Sequence, residues 1–236
     1  MIKLHTETYA NVIHAVLNDL AQGRSVYRLG KGRRIVKWVP ARQPNSARAD
    51  YFRNLCCAFR RYNFLAIKPH DMDCLVRGYD QWHSSLSDNQ RANVIRVNSV
   101  VTDLFNYDKF GRGCRLEYHS DGSKPYVQWV DNHAVWGAWH YLKGLNVRSC
   151  CYCNAETVFS LLLDQKSPGA DKLAEHPVSD FKRSALDHYY AHSKYPFLGI
   201  SFYNLIPACT RCNTNVKGAR PLLRQRHVRP FEESFD

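Results

Sequence analysis

The sequence predicts an α+β protein with a mainly helical first part and a small, metal-stabilised module towards its C-terminal end. Three observations support this fold class. Apolar residues recur at helical spacing in several segments before residue 147. One stretch has the alternation of a β-hairpin, and two Cys-x-x-Cys pairs follow residue 147. We therefore expect residues 1–146 to form a mainly helical, basic docking region and residues 147–236 to form the module that carries the chemistry.

Helices are predicted over residues 6–21, 45–65 and 88–106, and a shorter one in the stretch NHAVWGAWHYLKG. In the third helix Asp88 is the expected N-cap, and the expected buried face consists of Val94, Ile95, Val101, Leu104 and Phe105. A short strand is predicted after the glycine turn of RLGKGRRIVKWVP, and CRLEYHSDGSKPYVQWV has two alternating runs around an Asp-Gly turn. The first part should therefore combine helices with a few short strands.

The composition excludes a disordered or membrane-spanning chain and favours a polyanionic partner. The 236 residues are 44% hydrophobic and carry a formal net charge of +12. No apolar run approaches the ~20 residues that span a bilayer. The first residues, MIKLHTETYANVIHAVLNDL, lack the pattern of a signal peptide, so we expect a cytoplasmic protein with no membrane partner. The positive surplus favours nucleic acid as the partner.

This positive charge is concentrated between residues 22 and 61, where eleven Lys or Arg residues accompany a single acid, Asp50. Aromatic residues are interleaved with them, as in surfaces that follow phosphates and stack bases. The expected nucleic-acid contacts are Arg33, Arg34, Lys37 and, in the basic C-terminal tail, Arg220. A solvated basic face, or a face that meets an acidic protein, is the alternative for this segment.

Two cysteine pairs have the spacing of a zinc site. Cys150 and Cys153 form one pair in RSCCYCN, and Cys209 and Cys212 form the other in ACTRCN. Four thiolates suit a tetrahedral zinc ion, and four protein ligands leave no open position, so such an ion is structural. Ordinary buried cysteines are the alternative. The sequence also leaves open whether Cys150 or Cys151 is the ligand, although the closer spacing of Cys151 to Cys153 makes a poorer knuckle.

The residues around these pairs resemble the active site of the HNH endonucleases, whose ββα-metal module combines a hairpin with a helix. The resemblance covers about residues 148–220. It rests on Asp187-His188, on YNLIPAC with Asn204, and on CTRCNTNVKG with Asn213 and Lys217. It implies a treble-clef-like module stabilised by zinc and a nuclease activity that depends on a second, catalytic metal ion.

Phosphodiester hydrolysis explains why these residue types occur together. An imidazole titrates near neutral pH and suits the activation of water, and carboxylate and amide oxygens are good ligands for Mg²⁺. By the resemblance, His188 is the general base, Asp187 and Asn213 hold Mg²⁺ or Mn²⁺, and Asn204 pins the hairpin loop and orients the histidine. Lys217 either faces the phosphate or simply ends a helix. Asparagine replaces the family's third histidine here, which shifts the preference away from zinc-like catalytic ions.

Asp187 and His188 are neighbours, so on a regular strand their side chains point to opposite faces. We therefore expect a local bend or β-bulge that brings both to one site. His192 departs from the family pattern, because DHYYAHSKYP has Ala191-His192 where relatives often carry a proline and a lysine. A second phosphate contact and an ordinary loop position are both open for His192.

Taken together, CYCN, DHYYAHSKYP and FYNLIPACTRCN look most like the PtuB-type HNH subunit of Septu and retron-linked phage defence systems. Such a subunit works with an ATPase partner, and retron-linked systems add a reverse transcriptase with its RNA and DNA. The resemblance implies an endonuclease effector that cleaves DNA or RNA, with tRNA among the candidate substrates. One alternative is a catalytically idle zinc module that only binds nucleic acid, and another is an effector that is inert outside a protein complex.

Overall fold

The computed structural model describes residues 2–29, 35–38, 47–120, 125–131, 137–162, 181–217 and 231. Contacts within the chain divide it into two units. The first unit comprises Thr6–Phe105 and Leu116–Val130, and the second comprises Met1–His5, Asn106–Arg115 and Asp131–Asp236. The motifs predict a boundary after residue 146, whereas the contacts group residues 106–115 with the C-terminal segment.

Four helices account for most of the first unit: α1 (Ile2–Ala21), α2 (Ala47–Tyr62), α3 (Pro69–Ser85) and α4 (Asp88–Leu104). Three of them confirm the predicted helices, and α3 was not predicted. Tyr9 of α1 donates a hydrogen bond to the carbonyl of Leu104 at 2.6 Å. Tyr51 of α2 donates to the side chain of Asn98 in α4 at 2.8 Å. None of the helices that the structure describes has the length and apolar content to cross a bilayer.

The start and the buried face of α4 differ from the prediction. Ser87, and not Asp88, is the N-cap, because its hydroxyl accepts from the Gln90 N–H while the Gln90 side chain accepts from the Ser87 N–H. Ile95 was predicted to be buried, and this is wrong, since 65% of it is exposed. The buried face follows the helical period through Val94, Val97, Val101 and Leu104.

A four-stranded sheet, most of which belongs to the first unit, is formed by β1 (Val26–Leu29), β2 (Ile35–Trp38), β3 (Cys114–His119) and β4 (Tyr126–Asp131). Its order is β2-β1-β4-β3. β1 pairs antiparallel with β2 and parallel with β4. The predicted strand and the two predicted hairpin strands are confirmed, and the hairpin turn at residues 121–124 lies outside the described residues.

The second unit contains shorter elements: α5 (Tyr107–Gly111), α6 (Ala138–Leu145), β5 (Ser160–Leu162), β6 (Phe181–Arg183), β7 (Ala185–His188), β8 (Leu205–Ala208) and a π-helix (Arg211–Lys217). β5 pairs antiparallel with β6, and β7 with β8. Trp139 of α6 is buried in the core. Gly137 precedes α6 with φ +128°, and a Cβ there would lie 2.7 Å from the Cα of Gly113, so only glycine fits.

Candidate metal centre and active site

Four cysteine sulfurs converge in the second unit. The Sγ atoms of Cys150, Cys153, Cys209 and Cys212 all lie within 4.8 Å of one another. A tetrahedral zinc ion with Zn–S bonds of about 2.3 Å places its sulfurs roughly 3.8 Å apart, so small inward movements would close such a site. This four-cysteine cluster therefore has the ligands and the size to hold a metal ion such as zinc.

The backbone around the cluster favours ionised sulfur. The Cys212 N–H donates to the Sγ of Cys209 at 3.3 Å. Hydrogen bonds from the backbone N–H groups of Ala155 and Glu156 lower the pKa of the Cys153 thiol to about 7. Burial raises the pKa of the Cys209 and Cys212 thiols. Because only thiolates bind metal, a cation at the centre is needed to keep the two buried sulfurs ionised.

Cys150, and not Cys151, belongs to the cluster, so the geometry favours Cys150 in the choice that the sequence left open. Burial raises the pKa of the Cys151 thiol to about 11, so this sulfur stays protonated near neutral pH. The backbone N–H of Cys151 donates to the carbonyl of Pro207 at 3.2 Å. The first cysteine pair is therefore tied to β8, the strand that leads into the second pair.

Asp187 and His188 occupy the end of β7. They pair in regular antiparallel register with Ile206 and Leu205 of β8, so the predicted bulge is wrong. Both residues are buried, each with 6% exposed. Successive side chains alternate along a regular strand, and these two residues have different hydrogen-bond partners: Tyr152 and Lys217 for the carboxylate, and Gly199 for the imidazole. They therefore contact different parts of the module.

Both carboxylate oxygens of Asp187 accept hydrogen bonds from side chains. The Tyr152 hydroxyl donates to Oδ2 at 2.6 Å, and the Lys217 Nζ lies 2.6 Å from Oδ1. Lys217 also donates to the carbonyl of His188 at 2.8 Å. The Asp187 and Lys217 side chains are only 7% and 11% exposed, so the ion pair is largely withdrawn from water. Sequence reasoning missed Tyr152, for which its place inside the first cysteine pair was the only signal.

The imidazole of His188 is held as a neutral ring in one tautomer. Its Nε2 lies 2.8 Å from the carbonyl of Gly199, which can only accept, so Nε2 carries the proton and Nδ1 carries the lone pair. Burial lowers the pKa of His188 to about 3. The Tyr107 ring packs edge-on against it at 4.7 Å, and the ring of the exposed His192 lies 4.5 Å away. Nδ1 is therefore available as a proton acceptor at physiological pH.

Asn204 is fully buried and joins the two ends of the loop between β7 and β8. Its Oδ1 accepts from the Tyr190 N–H at 2.7 Å. Its Nδ2 donates to the carbonyls of Tyr190 and Leu198 at 3.1 and 3.0 Å. Leu198 directly precedes Gly199, so these bonds also fix the carbonyl that binds His188.

Asn213 and Lys217 lie on the π-helix, which begins inside the second cysteine pair. Such π-helical turns are rare and occur frequently at functional sites. The Asn213 backbone N–H donates to the carbonyl of Cys209 at 3.0 Å. Its half-buried side-chain amide has no hydrogen bond to any residue that the structure describes. Direct hydrogen bonds thus join Lys217 to Asp187 and His188, and no described hydrogen bond joins Asn213 to them.

The predicted nucleic-acid contacts fall mainly outside the described ranges, which exclude Arg33, Arg34 and Arg220. For Lys37 the structure gives the backbone pairing with Tyr27 between β2 and β1. These contacts stay predictions.

Comparisons of the chain with protein-family models, with curated proteins and with solved structures gave no match.

Proposed function

We propose that this chain is a metal-dependent HNH-type endonuclease that hydrolyses phosphodiester bonds of DNA or RNA. The observation that supports this most is the state of His188. Its ring is buried and neutral, Nε2 is occupied by the Gly199 carbonyl, and Nδ1 is left as an acceptor. A base that takes a proton from water must be unprotonated and must have a ring nitrogen left as an acceptor, and His188 meets both conditions. Its pKa of about 3 is well below the near-neutral value that favours general-base catalysis, so the charged ring needs the hydrogen bond to Gly199.

The residues of the chain can divide the work of hydrolysis among them. Nδ1 of His188 accepts a proton from the attacking water, and the Gly199 carbonyl then stabilises the charged ring through the bond to Nε2. The Lys217 ammonium has three N–H donors, of which Asp187 and the His188 carbonyl take two. The third is available for a phosphate oxygen. Asn204 keeps the Gly199 segment in place.

A catalytic Mg²⁺ or Mn²⁺ is part of the proposal, with Asp187 and Asn213 as its ligands. Such an ion supplies charge neutralisation at the phosphate. Carboxylate and amide oxygens are suitable donors, and the Asn213 amide is not used by any described residue. Lys217, however, occupies Oδ1 of Asp187. Asp187 would therefore have to exchange Lys217 for the ion at Oδ1, or hold the ion through Oδ2, where Tyr152 now donates.

The biological setting in the proposal is that of an anti-phage effector in the cytoplasm, acting with an ATPase partner and, in retron-linked systems, with a reverse transcriptase. The support is the likeness of CYCN, DHYYAHSKYP and FYNLIPACTRCN to such subunits. The net charge of +12 suits a nucleic-acid substrate.

The decisive experiment compares wild type with His188→Ala and His188→Asn on plasmid DNA, total RNA and tRNA, with Mg²⁺ or Mn²⁺ and with or without the ATPase partner. We expect both variants to lose cleavage by roughly 10²–10⁴-fold, as for loss of a general base, while zinc content is unchanged. His70→Ala is the matched control, because the His70 side chain is 84% exposed in α3. Cleavage at the wild-type rate by His188→Ala would rule out His188 as the base.

A second candidate function is a zinc-containing module that binds nucleic acid without cutting it. The observation that favours it is the saturation of the Asp187 carboxylate by Tyr152 and Lys217, which is also what a purely structural carboxylate shows. It predicts salt-sensitive binding and no cleavage with any divalent ion, even in the presence of the partner. Toxicity of wild type in cells, with none for His188→Ala, would argue against it.

A further inference from the structure

The two oxygens of the Asp187 carboxylate are held by residues that lie within one cysteine pair and shortly after the other. Tyr152, which binds Oδ2, lies between the two metal-ligating cysteines of the first pair. Lys217, which binds Oδ1, lies five residues after Cys212 on the π-helix. Two hydrogen bonds thus join the carboxylate to residues that lie in, or within five positions of, the two cysteine pairs.

The backbone on both sides of Tyr152 is fixed by hydrogen bonds. The Cys150 N–H donates to Glu156 and the Asn154 N–H donates to Cys150, both at 2.8 Å. The Cys151 N–H donates to Pro207. A metal ion that joined the sulfurs on either side of Tyr152 would fix this turn further, and with it the direction of the phenol ring.

We propose that Tyr152 is a positioning residue that connects the four-cysteine cluster to Asp187, so that the metal in the cluster sets the direction of this carboxylate. Tyr152 acts through its hydroxyl, which donates to Oδ2 of Asp187. A metal in the cluster would then orient Asp187 as well as join the two cysteine pairs. The role of this connection in cleavage rests on the proposed nuclease function. The hydrogen bond between Tyr152 and Asp187 is independent of that function.

The connection is tested by NMR on protein labelled with ¹³C at the aspartate carboxyl carbons, with the Asp187 resonance assigned by Asp187→Asn. Tyr152→Phe removes only the hydroxyl, and Tyr203→Phe is the matched control at a partly exposed tyrosine. We expect Tyr152→Phe to shift the Asp187 resonance and Tyr203→Phe to leave it unchanged. Replacing zinc by the larger thiophilic ion Cd²⁺ should also move it in wild type, and much less in Tyr152→Phe.

The inference is overturned if the Asp187 resonance is the same in wild type and Tyr152→Phe, or if both respond equally to Cd²⁺. Cleavage provides a separate test. Loss of a residue that orients a ligand typically costs 10–100-fold in activity or metal affinity, so Tyr152→Phe should lose that much cleavage and Mn²⁺ affinity. Its zinc content and its far-UV circular dichroism spectrum should be unchanged, and its melting temperature should fall only by the few degrees that one hydrogen bond to a buried carboxylate contributes. Unchanged cleavage and Mn²⁺ affinity would refute the positioning role. If wild type cuts nothing under any condition, the nuclease proposal fails, and the NMR result still decides the role of Tyr152.

Discussion

Replacing Asn204 with alanine removes a fully buried amide that makes three hydrogen bonds across the loop between β7 and β8. The Tyr190 N–H loses the acceptor that it finds in Oδ1. The carbonyls of Tyr190 and Leu198 each lose one donor, although Leu198 keeps a second one, the Ser201 N–H at 3.2 Å. The loop that carries Gly199 is therefore left without its central side chain.

The size of the effect follows from these three bonds. Leaving the buried Tyr190 N–H unsatisfied costs roughly 1–3 kcal/mol, and the two carbonyl bonds contribute about 1 kcal/mol each. We therefore expect Asn204→Ala to lower the free energy of unfolding by about 4 kcal/mol. For a chain of this length the corresponding fall in melting temperature is roughly 8–16 °C.

Denaturant unfolding followed by far-UV circular dichroism measures this loss in the zinc-loaded protein. Asn213→Ala is the matched control, since no residue that the structure describes bonds its amide, and we expect a change within about 0.5 kcal/mol. In the proposed nuclease, Asn204→Ala should also slow cleavage, because it removes a hydrogen bond to Leu198, the residue before the Gly199 carbonyl that fixes His188. A loss of less than about 1 kcal/mol, or an equal loss in Asn213→Ala, would refute the role of Asn204 in holding the loop.

Three further predictions concern the pH dependence, the ion pair and the cluster. Burial lowers the pKa of His188 to about 3, so below pH 6.5 the unfolded chain binds a proton that the folded chain does not. The free energy of unfolding should therefore fall by about 2 kcal/mol between pH 6.5 and pH 5. Denaturation of His188→Gln over the same pH range should not show this fall. Asp187→Ala leaves the buried Lys217 ammonium unpaired and should cost about 3–5 kcal/mol in denaturant unfolding, whereas Asp187→Ala with Lys217→Met should cost less. Cys209→Ser should lower zinc content measured by mass spectrometry, and Cys151→Ser should leave it unchanged.

Local patterns in the sequence predicted the helices and the cluster well, because both depend on residues that are close in sequence. The apolar period located α1, α2 and α4, and the two-residue spacing within each pair selected four cysteines that converge. The helix α3 was missed because its apolar residues are sparse and Gly78 interrupts it, although Pro69, Met72 and Val76 already follow the helical period.

The contacts that depend on distant parts of the chain were not predictable in this way. Nothing in the sequence indicates that Tyr152 meets Asp187, since 35 residues separate them. The same holds for the Gly199 carbonyl, which selects the tautomer of His188. The expected bulge at Asp187 came from requiring both side chains to reach one site, whereas the regular pairing with β8 keeps the backbone hydrogen bonds of the strand intact.

The parallel pairing of β1 with β4 has a consequence for how the chain is made. Tyr27 aligns with Tyr126, so the central partner of β1 is synthesised about a hundred residues later. At roughly 5–20 residues per second, a nascent chain waits on the order of 5–20 s before β1 gains this neighbour. During that interval one edge of β1 is unpaired and available to other strands. The unpaired edge of β1 would therefore need co-translational chaperones most while α2, α3 and α4 are being synthesised.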